Sequence, residues 1–257
     1  MTPRIFLPRS WAPGETIVLP KAESRHVQVL RLQPGDGVVL FNGEDGAEWP
    51  AEIVRMARTE VELRVGVAAR PVERELPLAV TLALGIPANE RMDALVEKAT
   101  ELGVAAIQPL ICERSVVRLA GDRAEARQRH WRAVAASASE QCGRVRVPRV
   151  AVPVKLSAWL HDLDEASSSG QRPDRWVLSL AAAARPTTEL PRPGRDASAF
   201  GLIVLSGPEG GLAPDEEAAA LRQGFVPVSL GPRTLRADTA PLALLAWLGL
   251  ADRGLAE

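Results

Sequence analysis

The chain has 257 residues, 46% of them apolar and 25% charged, and a formal net charge of −1. These totals describe a folded globular protein and exclude a disordered chain, a fibrous one, and a uniformly basic coat for nucleic acid. No run approaches the roughly 18 to 20 apolar residues of a membrane span, and the N-terminus lacks a signal peptide's apolar core, so a cytoplasmic protein is expected.

The length leaves room for two domains. Residues 1–70 read as short strands: "RIFL", "TIVL", "VVLFN", "AEIVRM" and "EVELRVGV" are rich in Val, Ile and Leu, and the turns "PGE", "PGDG" and "NGEDG" separate most of them. One brief helix, "SRHVQVLR", interrupts them. Strands this short and close predict a small β-barrel. The segment "RPVERELP", with two prolines and alternating charges, places a linker at 71–77.

From residue 78 the pattern changes to strands separated by helices, which predicts an α/β domain over 78–257 with a mostly parallel sheet. "LAVTLALGI" is a strand buried on both faces. "NERMDALVEKATELG" follows as a helix with Met92, Leu95, Val96, Ala99 and Leu102 at helical spacing and Gly103 as its stop. "VAAIQPLI" is the next strand. Residues 124–142 form a helix presenting Trp131, Val134, Ala135, Ala138 and Cys142 on one face. "DEASSSGQRPD" is an exposed loop, "RWVLSLA" and "FGLIVLS" are strands, and "APDEEAAALRQG" is a helix with proline in its first turn and Gly224 behind it. "PVSLG" is a short strand, and "TAPLALLAWLGLA" a deeply buried final helix.

Cys112 and Cys142 stand in unrelated contexts and read as small buried apolar residues. His26, His130 and His161 lie far apart with no acidic partner at ligand spacing, so no metal site is expected. Charge is uneven along the chain: between Arg114 and Arg149 nine arginines face Asp122, Glu125 and Glu140, a local net of +6. Arginine makes planar, bidentate contacts to phosphate. Candidate RNA contacts are Arg114, Arg118, Arg144 and Arg146 from this band, with Arg4, Arg25 and Arg31 from the N-terminal domain.

Two glycine-bearing turns each leave a predicted strand, which puts them side by side at the ligand edge of a parallel sheet. "SGPEGG" matches neither the dinucleotide fingerprint nor the phosphate loop, because the spacing fails and no lysine follows. Its acid, Glu209, would repel phosphate and suits a cationic or hydroxyl-bearing ligand, such as a sulfonium compound or a ribose. In "LGPRTLRADTA", Arg233 and Arg236 stand at the mouth of an apolar helix and call for anionic partners, while Asp238 and Thr239 are good helix caps.

Together "RIFLP", "HVQVLRLQPGD", "EKATELGV", "ERS", "EQCGR", "GPEGG" and "LGPRTLRADTA" closely resemble, in order and over nearly the whole chain, the RsmE family of small-subunit ribosomal RNA (uracil-N3) methyltransferases in the SPOUT superfamily. The resemblance implies an N-terminal PUA-like barrel, a C-terminal α/β domain with a trefoil knot, S-adenosylmethionine as cofactor, 16S ribosomal RNA as partner, and a homodimer. It sets Leu205, Gly207, Pro208, Glu209, Gly210, Gly211, Leu230, Gly231, Arg233, Leu235, Arg236, Thr239 and Ala240 around the methyl donor. Arg236, Arg233 and Asp238 become the catalytic candidates, although the family more often has Glu at the position of Asp238. Two other readings compete: a related enzyme acting on a ribose 2′-hydroxyl, and a non-catalytic RNA-binding protein. Mapping the methylated atom by mass spectrometry separates the first, and calorimetry with S-adenosylmethionine the second.

Overall fold

A computed structural model of the chain describes residues 2–67, 69–88, 91–165, 173–190 and 201–252; the loop expected at 164–174 falls largely outside them. The chain forms two compact units. One holds residues 1–75 together with 136–147, and the other holds 76–135 and 148–257.

The first unit contains β1 (Arg4–Phe6), β2 (Thr16–Val18), α1 (Lys21–Val29), β3 (Gly37–Phe41), β4 (Ala47–Met56), β5 (Val61–Val65) and β6 (Arg70–Pro71). The sheet runs β1-β3-β4-β5-β2, with β6 paired to β4, and among the described pairs only β1–β3 is parallel. Period-two alternation sets the inner face: Val61, Leu63 and Val65 are buried, whereas Glu62 and Arg64 are not. A register shift between Ile53 and Arg55 interrupts β4 against β5. β4 starts at Ala47, four residues before the expected strand, because Pro50 sits inside it; lacking an amide hydrogen, Pro50 still accepts from Gly66 N at 2.7 Å. α1 turns Ser24 and Val27 inward, and the Ser24 hydroxyl donates to Leu19 O at 3.0 Å.

Residues 71–75 belong to the first unit. Pro71 pairs with Ala47, Arg74 Nη1 donates to Glu48 Oε1 and Gly143 O, both at 3.0 Å, and Glu75 Oε2 accepts from Arg144 Nε at 2.8 Å. Assignment of 136–147 to this unit was invisible in the sequence, since those residues begin inside a continuous helix. Their anchor is Glu140, whose Oε1 accepts from Phe6 N at 2.8 Å.

The second unit contains β7 (Val80–Gly85), α2 (Arg91–Glu101), β8 (Ala106–Ile111), the start of α3 (Asp122–Cys142), β9 (Arg149–Val150), β10 (Val154–Lys155), α4 (Leu156–Glu165), β11 (Asp174–Leu178), β12 (Arg185–Pro186), β13 (Leu202–Ser206), α5 (Pro214–Arg222), β14 (Val226–Ser229) and α6 (Thr239–Asp252). Every described pair in its sheet is parallel, in the order β10-β8-β7-β13-β11-β14-β12, with β9 on β8. β13 is buried at all five residues and lies between β7 and β11. α2 buries Met92, Leu95, Val96 and Ala99, and its Asp93 carboxylate meets both Trp131 Nε1 at 2.9 Å and His130 Nε2 at 2.7 Å. α4 has no counterpart among the expected elements, although Leu156, Leu160 and Leu163 repeat at helical spacing; they pack with Val177, Leu205 and Phe225.

Burial and the nearby Glu23 carboxylate push the Glu140 carboxyl up, against the lowering effect of the Phe6 amide, His26 and Arg4. A raised carboxyl favours its protonated form in the folded state, so its contribution to stability is full below the ordinary carboxylate range and lost as pH rises through the raised value. Glu140→Gln keeps an oxygen for the Phe6 amide without a charge to bury. The variant should show a higher urea midpoint than the parent at about pH 7, and the gap should close towards about pH 4.

Candidate active site

The carboxyl ends of β11, β13 and β14 open onto one cavity of about 810 Å³ within the second unit. Its floor is the turn after β13. Gly207 and Pro208 lie so close to the end of β7 that a Cβ on Gly85 would fall 2.5 Å from Pro208 N, and a Cβ on Gly207 would fall 2.7 Å from Leu212 N. Only residues without side chains allow this approach of backbone to backbone.

Side chains then fix the turn from two directions. Glu209 Oε1 accepts from Ala88 N at 2.9 Å, with Arg91 Nη1 at 3.5 Å. From the other side Arg114 Nη1 donates to Gly210 O at 2.9 Å and Leu212 O at 3.3 Å. Glu216 completes the clamp, accepting from Glu113 N at 2.8 Å through Oε1 and from Ala213 N at 3.0 Å through Oε2. The acid at 209 therefore has a structural cause that the sequence did not show: it binds the segment after β7, and Arg91 faces its charge.

Opposite the floor stand the loop after β14 and the end of β11. Ser179 N donates to Val228 O at 3.0 Å, its hydroxyl bonds the Glu217 carboxylate, and Ala181 N donates to Ser179 Oγ at 3.0 Å. Leu180, Leu230 and Leu235 give this side an apolar wall, while Arg233 and Arg236 bring cations to it. Ser206, Ser179, Glu217 and the exposed backbone of the turn supply the polar groups. Small-molecule sites have this composition: an apolar majority with a few polar groups that fix orientation.

Most residues expected around the ligand meet here: Gly207 to Gly211, Leu230, Gly231, Arg233, Leu235, Arg236 and Ala240 all line the cavity. Leu205 does not. Its side chain is fully buried in the core with Ala83 and Phe225, because alternation along β13 turns it away, and Ser206 takes its place at the cavity. Asp238 and Thr239 are also absent from the lining. Nor does Asp238 Oδ1 act as a cap, being buried without a hydrogen-bond partner, while the amides of Thr239 and Ala240 bond to Arg236 O at 3.0 Å.

The residues Leu178 to Ala181, Glu217, Arg91 and Thr234 line the cavity without having been expected. The stretch from Leu178 was findable, since the rule that ligands sit at strand carboxyl ends applies to β11 as it does to β13. Among the RNA candidates, Arg25, Arg31, Arg118 and Arg146 are exposed. Arg4 and Arg144 are not: Arg4 is ion-paired with Glu48, donates to Arg144 O at 2.7 Å and lies 4.8 Å over the Phe41 ring, and Arg144 is paired with Glu75. Arg114 is exposed but engaged with the glycine turn.

The second unit is thus a parallel α/β unit with a cavity at its strand ends, and the first a small, mostly antiparallel sheet unit, an architecture that likeness to known proteins assigns to a class. A family model described as "RNA methyltransferase domain" matches residues 74–249, and one described as "RNA methyltransferase PUA domain" matches residues 19–66. The chain is 33% identical to ribosomal RNA small subunit methyltransferase E of Synechocystis, over 90% of this chain and 72% of that one. To the protein of the same name from Mycobacterium bovis it is 34% identical, over 92% and 87%. A crystal structure of ribosomal RNA small subunit methyltransferase E from Neisseria gonorrhoeae bound to S-adenosyl methionine superposes with a TM-score of 0.86 at 33% identity, covering 98% of each chain. The chain belongs to the ribosomal RNA small subunit methyltransferase E family.

Loss of the two Arg114 hydrogen bonds frees the turn without emptying the core. Arg114→Ala should raise the dissociation constant for S-adenosylmethionine by up to about thirtyfold, for two bonds worth about 1 kcal/mol each, and lower the thermal midpoint by about 4 to 8 °C at most. Isothermal calorimetry and a melting curve read the two effects separately.

Proposed function

We propose that this protein transfers a methyl group from S-adenosylmethionine to N3 of one uridine in 16S ribosomal RNA of the small subunit. The observation that carries the reading is the convergence of the 207–212 and 229–237 loops on one open-mouthed cavity. The cofactor fits the residues present. The close approach at Gly85 and Gly207 exposes turn backbone to a ligand, Leu180, Leu230 and Leu235 suit an adenine face, and Ser179, Ser229 and Glu217 suit hydroxyl and amino groups. The turn carries no lysine of the kind a phosphate loop uses.

When bound, S-adenosylmethionine supplies an electrophilic methyl group on a sulfonium sulfur. The protein holds the uracil so that N3 faces that methyl group, and holding two reactants in attack geometry is worth roughly 7 to 11 kcal/mol. N3 must lose its proton as the new bond forms, which leaves negative charge on the ring and its two carbonyl oxygens. Arg236 and Arg233 line the cavity and are exposed, so their guanidinium groups can face that charge. Solvent at the mouth accepts the proton; Asp238 is a weaker choice, since it lies outside the cavity lining with a buried carboxylate oxygen.

The remaining parts of the reading follow the family. A closed PUA-like barrel and a trefoil knot complete the two domains in this reading. A homodimer belongs to the reading through the family resemblance. The substrate places the enzyme in the cytoplasm, and no described helix is long and apolar enough to cross a membrane.

Small subunits from cells lacking the activity, incubated with enzyme and cofactor, should gain one methyl group. Nuclease digestion and mass spectrometry should place it on uracil N3; methyl on a ribose oxygen would reject the assignment. Arg236→Ala should cut turnover by about 100-fold or more while cofactor affinity changes several-fold at most. Equal losses in both would make Arg236 a cofactor ligand only.

A further inference from the structure

Among the described non-glycine residues Arg31 alone has a positive φ, at +58°. It stands just past α1, where Leu32 N reaches back to Val27 O at 3.4 Å and Arg31 N to Gln28 O at 3.0 Å. That helix ending places one residue in the left-handed region, and glycine fills it without strain. An arginine there strains the backbone, and such strain persists where the side chain is needed. The need does not lie inside the protein. Arg31 is exposed, and among the described residues no ion pair engages it, Arg25 or Lys21.

The surroundings say what would use it. Lys21, Arg25 and Val29 follow one another at four-residue spacing, so they form a single exposed stripe along α1, with His26 and Leu30 in the next. Val29 is 71% exposed and Leu30 43%, although both are aliphatic residues at the end of a helix whose other side is anchored. Ser24 and Val27 are buried, and Gln28 Nε2 donates to Ala57 O at 3.0 Å, which fixes the roll of the helix. The sequence thus places three unpaired cations and two bare aliphatic side chains on one rigid knuckle.

We propose that this knuckle, Val29-Leu30-Arg31 with Arg25 beside it, binds an unpaired segment of the substrate RNA. Arg25 and Arg31 contact phosphates, while Val29 and Leu30 lie against the face of an unstacked base. Charge selects a polyanion, and the aliphatic pair selects one whose base faces are open, which duplex RNA does not offer. The proposal rests on the RNA methyltransferase reading above and adds where, and in what form, the RNA is held.

Two variants test it, with fluorescence anisotropy on a labelled single-stranded RNA and on a labelled RNA duplex of equal length across a salt series. Arg31→Gly relieves the backbone, so its thermal midpoint should stay level or rise by about 2 to 4 °C, and its affinity for S-adenosylmethionine should not change. Its affinity for the single strand should fall about three- to tenfold, with a salt dependence flatter by about 0.7 in logarithmic slope. The double variant Val29→Ser, Leu30→Ser should lose single-strand affinity at an unchanged slope and keep its duplex affinity. Unaltered single-strand binding in Arg31→Gly, or equal losses on both RNAs in the double variant, overturns the proposal. A parent enzyme that methylates no small-subunit RNA fails the functional reading instead, so the two failures are distinguishable.

Discussion

The site depends on one steric fact: the turn after β13 lies directly on the end of β7, backbone against backbone, with Gly85 and Gly207 giving the room. Any side chain at either position would push the turn away. With the turn seated, the acceptors of Glu209 and Glu216 reach amides on the segments that follow β7 and β8, and Arg114, on the latter segment, donates back to carbonyls of the turn. The turn is thereby held by neighbours rather than by its own sequence, which preorganises a floor that a glycine-rich loop alone would leave flexible.

Charge in the second unit is sorted by this arrangement. Glu209, Glu216 and Glu217 direct their carboxylates at amides, a hydroxyl or Arg91 within the protein. Arg233 and Arg236 remain exposed at the cavity. A cavity with its acids engaged and its cations available suits a reaction that builds negative charge on a substrate ring. Thiol chemistry has no place in it, since burial, with Glu216 nearby, pushes the Cys112 thiol up to about 12.

In the first unit the arginines divide by depth. Arg4 and Arg144 join β1 to the segment after α3, through Glu48, Glu75 and a backbone carbonyl, and leave nothing for a ligand. Arg25 and Arg31 stand on the outer side of α1. Composition treats all four alike. Their separation into internal ties and free cations needs the carboxylates of Glu48 and Glu75, which are far away in sequence and opposite in space.

Much of the fold was legible because its causes are local. The alternation of Val61, Leu63 and Val65, the helical spacing of Met92, Leu95, Val96 and Ala99, and the apolar run at β13 each follow from one element and the face it buries. The two glycine turns were legible for the same reason, each being a short motif behind a strand. What remained hidden involves partners distant along the chain: β4 extending through Pro50, 136–147 belonging with the first unit, and Leu205 turned into the core while Ser206 faces the cavity. The sequence by itself determined most of the elements, α4 excepted, and that two glycine turns follow strands of a parallel sheet. Tertiary structure alone decided which charges are answered inside the protein and which face outward, because an ion pair is set by distance in space and sequence separation does not encode it.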